Sequence, residues 1–286
     1  MKPALMTMDS APVEYRIQYR PALDGLRALA VAAVMAYHLG LSGLPGGFLG
    51  VDIFFVLSGY LITSLLLAEW RRTGAIDLRS FWVRRLRRLL PALGLVLAAV
   101  LIFAAFTPEF ATSALRGDIV STLGYVANWR MAFSGASYFE QFEALSPLRH
   151  AWSLGIEEQW YLVWPIVLAV GLRLARGRAG RLLGPVILAA ALSALAMAFL
   201  ANTGNGEDPS RAYYGTDTRA QALLIGAALA AFLQERVLGR RAVAAVEWSA
   251  PIACIGLVLM VTRVSDADLW MYRGGFALVA LLSAIV

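Results

Sequence analysis

"DGLRALAVAAVMAYHLG", residues 24–40, is the stretch whose reading decides the fold. Ala, Val, Leu and Met fill it as they fill a helix buried in lipid, yet Arg27 stands near its start and His38 near its end. An α-helix turns about 100° per residue, so these two positions fall within ~20° of one face, about 16 Å apart along the axis. An ionisable group at mid-bilayer costs on the order of 3 kcal/mol and therefore faces a protein interior or a water cavity. Alone, Arg27 fits a side chain snorkelling to the headgroups, and His38 fits an interfacial imidazole bonded to a backbone carbonyl. Their common face favours a shared cavity.

The rest of the chain supports a membrane reading. Of 286 residues, 59% are hydrophobic and 15% charged, against roughly a quarter charged in soluble domains. The net charge of +6 comes from arginines set between long apolar runs. That pattern orients membrane helices and argues against a nucleic-acid surface. The single cysteine, Cys254, excludes an intrachain disulfide and a CxxC metal or redox site. The first 22 residues are polar and read as a tail before a membrane domain over 23–286, with no cleavable signal pattern.

A span needs about 20 apolar residues. Eight candidates are read at 26–41, 48–68, 89–107, 155–172, 182–201, 217–235, 246–264 and 272–286. The charged stretch 113–130 reads as an interfacial or re-entrant helix. The expected fold is an all-α polytopic transmembrane bundle. With the N-terminus inside, Lys2, Arg16, Arg20, the arginines from Arg71 to Arg88, Arg173 to Arg181 and Arg236 to Arg241 all fall on the inner side. This positive-inside bias would be lost if 113–130 crossed the membrane. Asp52, Glu157, Glu158, Asp217, Glu207 and Asp208 then fall toward the outer side.

Four further stretches carry chemistry. In "GGFLGVDIFFVLSGYLITSLLLAEW", residues 46–70, Asp52 follows a short turn and is expected within reach of His38. Such a carboxylate either fixes an imidazole tautomer or complements the helix dipole. Ser58 and Gly59, followed by Tyr60, form a notch for close helix approach or for a thin ligand. In "RSFWVRRLRRLLPAL", residues 79–93, Arg84, Arg85, Arg87 and Arg88 serve as membrane anchors or as a polyphosphate site, since guanidinium pairs phosphate bidentately.

"LRHAWSLGIEEQWYLVWPIV", residues 148–167, brings two adjacent glutamates, Glu157 and Glu158, into a span. They diverge by about 100°, so one faces the interior while the other points elsewhere. His150, the other histidine, is read as a loop residue. "YYGTDTRAQALLIGAALA", residues 213–230, opens with Asp217 and Arg219, read as an ion pair at a helix entrance or as an outer polar pocket.

Together these stretches resemble the acyltransferase 3 family of bacterial integral-membrane acyltransferases, which includes O-antigen, exopolysaccharide and peptidoglycan O-acetyltransferases. The resemblance is carried by "YRPALDGLRALAVAAVMAYH" with its Arg-x10-His spacing, "GVDIFFVLSGYLIT", the Arg-x-x-Arg of "WVRRLRRLLPAL", "HAWSLGIEEQWYLVWP" and "GTDTRAQALLIGA", in the family's order.

The likeness implies acyl transfer, usually of acetyl, from cytoplasmic acyl-CoA to a hydroxyl of a cell-envelope glycan or lipid-linked precursor. It implies a protein of the bacterial cytoplasmic membrane with its N-terminus inside. His38 matches the family's essential histidine and Arg27 its basic partner. Arg85 and Arg88 fit the Arg-x-x-Arg pair, with Arg84 and Arg87 at the same spacing, and Glu157 and Glu158 fall on the acidic pair. Donor binding is expected at Arg27, Arg84, Arg85, Arg87 and Arg88. The chemistry is expected at His38 with Asp52, Glu157 and Glu158, and substrate contacts at Ser58, Tyr60, His150, Asp217 and Arg219. No resident cofactor, metal or nucleic acid is expected. The family carries more spans than eight, and "GGFALVALLSAIV" breaks off inside an apolar run, so further spans are expected past Val286, with an SGNH-type domain in many relatives. Two other readings use the same residues. Intramembrane His and Glu serve transporters and proton relays, although the two halves lack the symmetry of an inverted repeat. A truncated, inactive scaffold is the other.

Overall fold

The computed structural model describes residues 21–107, 112–133, 146–203, 209–236 and 239–286. Lys2, Arg16, Arg20, Glu207 and Asp208 lie outside them. The described residues form helices without strands: α1 (Pro21–His38), α2 (Gly50–Thr73), α3 (Leu78–Phe106), α4 (Ser113–Leu123), α5 (Ala127–Phe133), α6 (Ala151–Leu174), α7 (Leu183–Thr203), α8 (Ser210–Tyr214), α9 (Thr216–Glu235), α10 (Arg240–Arg263) and α11 (Phe276–Ile285).

Among the described residues, four helical segments are long and apolar enough to cross a membrane: Gly47–Thr73, Leu78–Phe106, Ala179–Ala201 and Arg240–Arg263. This is fewer than the eight read from sequence. Helices α1, α6 and α9 reach 18 residues or more but carry Arg27, His38, Glu157, Glu158, Asp217 and Arg219, which dilute their apolarity. The last candidate, 272–286, begins in an irregular turn where Gly274 has φ 133°. Helix α11 follows from Phe276 to Ile285. The stretch 113–130 is split between α4 and α5 by a turn at Tyr125, whose φ is +54°. Eleven residues of α4 rise about 16 Å, too little to cross.

Sequence chemistry sets the helix ends. Gly74 closes α2 in the left-handed conformation at φ 70°, which costs a residue without Cβ nothing. Asp77 caps α3 by accepting the Ser80 N–H at 3.0 Å. Its bonds with Ser80 hold the Asp77 carboxyl below the usual range.

Helices α2 and α9 form the tightest pair, through reciprocal glycines. A Cβ at Gly59 would lie 2.9 Å from Leu223 Cα, and one at Gly226 would lie 2.9 Å from the Val56 carbonyl carbon. Such contact lets backbones meet without a large side chain between them. Gly50 similarly admits α1, where a Cβ would lie 2.9 Å from Val34 Cγ2. Beyond α1, the Gly46 N–H donates to Val261 O at 2.9 Å and Tyr37 OH to Asp266 at 2.5 Å, tying this corner to α10 and the turn after it. The outer faces of α3, α7 and α10 expose large apolar side chains such as Leu95, Leu195 and Ile252. Water would penalise that surface, whereas lipid matches it.

Candidate active site

Helix α1 turns Ala30, Val34 and His38 onto one stripe, and α2 opposes it with Gly50, Val51 and Phe54. With His150, Ser153, Leu154 and Glu157 at the start of α6, these residues line a cavity of about 370 Å³. The rings of His38 and His150 meet edge to face, with centroids 4.3 Å apart and planes at 89°. His150 therefore belongs to the His38 cavity and is not merely a surface residue. His38 Nδ1 lies 2.8 Å from Val34 O. A carbonyl only accepts, so Nδ1 donates and, in the neutral ring, Nε2 holds the lone pair. Packing against its neighbours pushes the His150 imidazole down to about 4, mainly through lost hydration, with charge effects from His38 and Arg149. Its outer edge stays exposed.

A second cavity, about 320 Å³, lies among α1, α2, α3 and α6, lined by Arg27, Ser58, Phe81, Arg84, Arg85, Arg88 and Tyr161 among others. The Arg27 guanidinium carbon sits 4.9 Å from the centroid of Phe54, which belongs to the first cavity. Arg84 and Arg88 are one helical turn apart, and Arg85 shares their face. Arg87 lies about 100° from Arg88 and does not line this cavity.

The two cavities adjoin at three side chains. Tyr161 OH donates to Glu157 Oε1 at 2.8 Å, Ser58 Oγ donates to the same oxygen, and the two hydroxyls are 3.0 Å apart. Ser58 and Tyr161 face the arginines, while Glu157 faces the histidines. Glu158 turns away, buried, and its Oε1 has no hydrogen-bond partner among the described residues. Tyr60 lines neither cavity.

Asp52 is placed differently from the sequence expectation. Residues Gly50, Val51 and Phe54 face the His38 cavity, and Asp52, about 100° from Val51, points toward α9. There it accepts from Arg219 Nη2 at 2.9 Å, with both side chains at most 2% exposed. The expected Asp217–Arg219 pair does not form either. Asp217 instead pairs with Arg211 at 3.0 Å. Arg219 is caged by aromatic rings, including Phe276 at 4.6 Å and Tyr213 at 4.8 Å. Neither Asp217 nor Arg219 lines the two cavities.

Sequence reading missed two features. Tyr161 was legible in principle, because it sits one turn beyond Glu157, where side chains meet. The other is the set of amide and hydroxyl bonds around Gln159. Its Nε2 donates to Tyr125 O at 2.8 Å and Asn128 Oδ1 at 2.9 Å, while Thr216 Oγ1 donates to Gln159 Oε1 at 2.6 Å. Asn128 Nδ2 donates to Tyr214 O at 3.1 Å. These bonds hold α5 and the start of α9 against α6, and so fix how Glu157 is aimed.

A helical bundle with lipid-matched outer faces and ionisable residues gathered inside is a multi-pass membrane protein. The chain matches the acyltransferase domain family over residues 20–286 and belongs to it. It is 45% identical over 276 residues to the peptidoglycan O-acetyltransferase OatA of Listeria monocytogenes, covering 95% of this chain and 44% of that protein. YrhL of Bacillus subtilis, provisionally named a peptidoglycan O-acetyltransferase, is 44% identical over 277 residues, covering 94% of this chain and 43% of that protein. The chain thus spans less than half the length of these curated relatives. No solved structure matches it.

Proposed function

We propose that the chain is the membrane portion of an O-acyltransferase that moves acetyl from cytoplasmic acetyl-CoA to a hydroxyl of a cell-envelope glycan, in the bacterial cytoplasmic membrane with its N-terminus inside. The observation that carries this is the abutment of the His38 cavity on the arginine cavity. The relatives' names point to acetyl and, for OatA and YrhL, to peptidoglycan.

The donor's phosphates pair with Arg84, Arg85 and Arg88, for which guanidinium is well shaped, with Arg27 at the same cavity. The uncharged arm carries the thioester toward His38. There Nε2, the lone-pair nitrogen of the neutral ring given that Nδ1 donates to Val34 O, takes the acceptor hydroxyl's proton as the oxygen attacks the thioester carbonyl. The C–S bond breaks, and the imidazolium returns the proton to the leaving thiolate. An acyl group passing transiently through His38 would use the same nitrogen. General-base help of this kind contributes about 10²–10⁴-fold.

The experiment is transfer of labelled acetyl from acetyl-CoA to envelope glycan in membranes that carry the chain. Transfer that is lost in His38→Ala, at an unchanged membrane level of protein, is the expected result. Full transfer by His38→Ala refutes the scheme.

A further inference from the structure

We infer that Ser58, Glu157 and Tyr161 form a gated passage between the two cavities that lets an uncharged chain through and keeps an anionic head on the arginine side, with Tyr161 as a positioning residue for the donor arm. This deepens the acyl-CoA reading and rests on it for the identity of the chain that passes.

The partition consists of side chains alone. Helices α2 and α6 contribute Ser58 and the Glu157–Tyr161 turn, and three hydroxyl and carboxyl groups close the gap by bonding to one another. A chain bearing amide donors and acceptors exchanges those bonds for its own, so opening leaves no buried polar group unpaired. A phosphate can accept from the two hydroxyls but meets only acceptor oxygens at an ionised Glu157, and the lining beyond it, which includes His38 and His150, offers no arginine or lysine to hold its charge.

The gate is also braced from the donor side. The Arg85 guanidinium carbon stands 4.0 Å from the Tyr161 ring centroid, and Arg85 Nε is buried without a hydrogen-bond partner among the described residues. The Trp82 indole N–H donates to Tyr161 O at 3.1 Å, fixing the backbone behind the ring. The cation that would receive the donor's charge therefore holds the ring that closes the gate.

The test uses the full chain with Cys254→Ser, carrying either Ser153→Cys on the histidine side or Leu61→Cys on the arginine side. A membrane-impermeant, sulfonate-bearing thiol reagent is presented to the arginine-side face of sealed vesicles. Leu61→Cys should label readily in every background, and Ser153→Cys slowly in the parent. Tyr161→Phe or Glu157→Gln should speed the Ser153→Cys reaction about tenfold, the effect of removing one hydrogen bond of ordinary strength from the closed form. Equal labelling at both positions in the parent overturns the gate. So does a Ser153→Cys rate unmoved by either substitution while Leu61→Cys still labels.

In the acetyl-transfer assay, with rates normalised to the amount of folded protein in the membrane, Tyr161→Phe should lower kcat about tenfold and leave the donor KM within about twofold; an unchanged normalised kcat overturns the positioning role. If the parent transfers no acetyl while the labelling pattern holds, the donor reading falls and the gate stands.

Discussion

His38 and His150, the only histidines in the chain, meet edge to face at 4.3 Å between ring centroids. One comes from the end of α1 and the other from the residue before α6, so the contact forms only when these two elements pack. Lost hydration first, and then repulsion from charge on the neighbouring ring, lower the His150 imidazole.

This sets a pH dependence. The His150 imidazole is lowered from 6.5 to about 4, so between those values the unfolded chain binds a proton that the folded chain refuses. Stability is therefore full above about pH 6.5 and falls as pH drops toward 4. The exposed edge of His150 keeps the effect modest. Thermal unfolding of the detergent-solubilised protein at pH 7 and pH 5 should show a drop that is smaller in His150→Gln.

Arg219 and Asp52 make the next prediction. Removing one partner leaves a buried charge uncompensated, which costs about 3–5 kcal/mol. Arg219→Met or Asp52→Leu alone should sharply lower the unfolding temperature, and the double replacement should lower it by much less than the sum. Additive losses in that double-mutant cycle would show that the two side chains act independently.

The arginine cluster separates by face. Arg85→Ala and Arg88→Ala should each raise the apparent donor KM, by about tenfold for the loss of one charge-assisted bond. Arg87→Ala, off the cavity, should leave it within about twofold. A KM raised equally by all three would mean that overall charge matters and geometry does not.

Gly59→Ala and Gly226→Ala should each destabilise the fold by about 1–3 kcal/mol, because backbone atoms of the facing helix occupy the space a methyl would need. Gly94→Ala, with open space around it, serves as the control.

How much of this was legible in the sequence depended on whether an interaction was local. The divergence of Glu157 and Glu158 follows from helix geometry alone; the common face of Arg27 and His38 does too, but the shared cavity expected from it is not found, because Arg27 lines the arginine cavity and His38 the other. The charge within 113–130 signalled that it does not cross, but the turn at Tyr125 that splits it was not expected. The partners of Asp52 and Arg219 were not legible, because each lies on a different helix and the pairing depends on which face α2 turns to α9. Proximity along the chain suggested His38 for the first and Asp217 for the second. The count of eight spans is not confirmed for a related reason: α1, α6 and α9 carry ionisable groups that make them too polar to qualify by composition, whereas α2 and α3 qualify although Ser58 and Arg84 to Arg88 lie on them.

Helix α2 serves two clients. Val51, Phe54 and Ser58 face the cavities, while Asp52, Val56 and Gly59 face α9. Inserting or deleting one residue between Asp52 and Ser58 would swing everything beyond it by about 100°, pulling Gly59 from its seat or Ser58 from Glu157. Even a whole added turn would restore the angle but shift the register by about 5.4 Å. The length of this segment is thus as tightly constrained as its composition, and length variation among relatives should concentrate in the connections between helices.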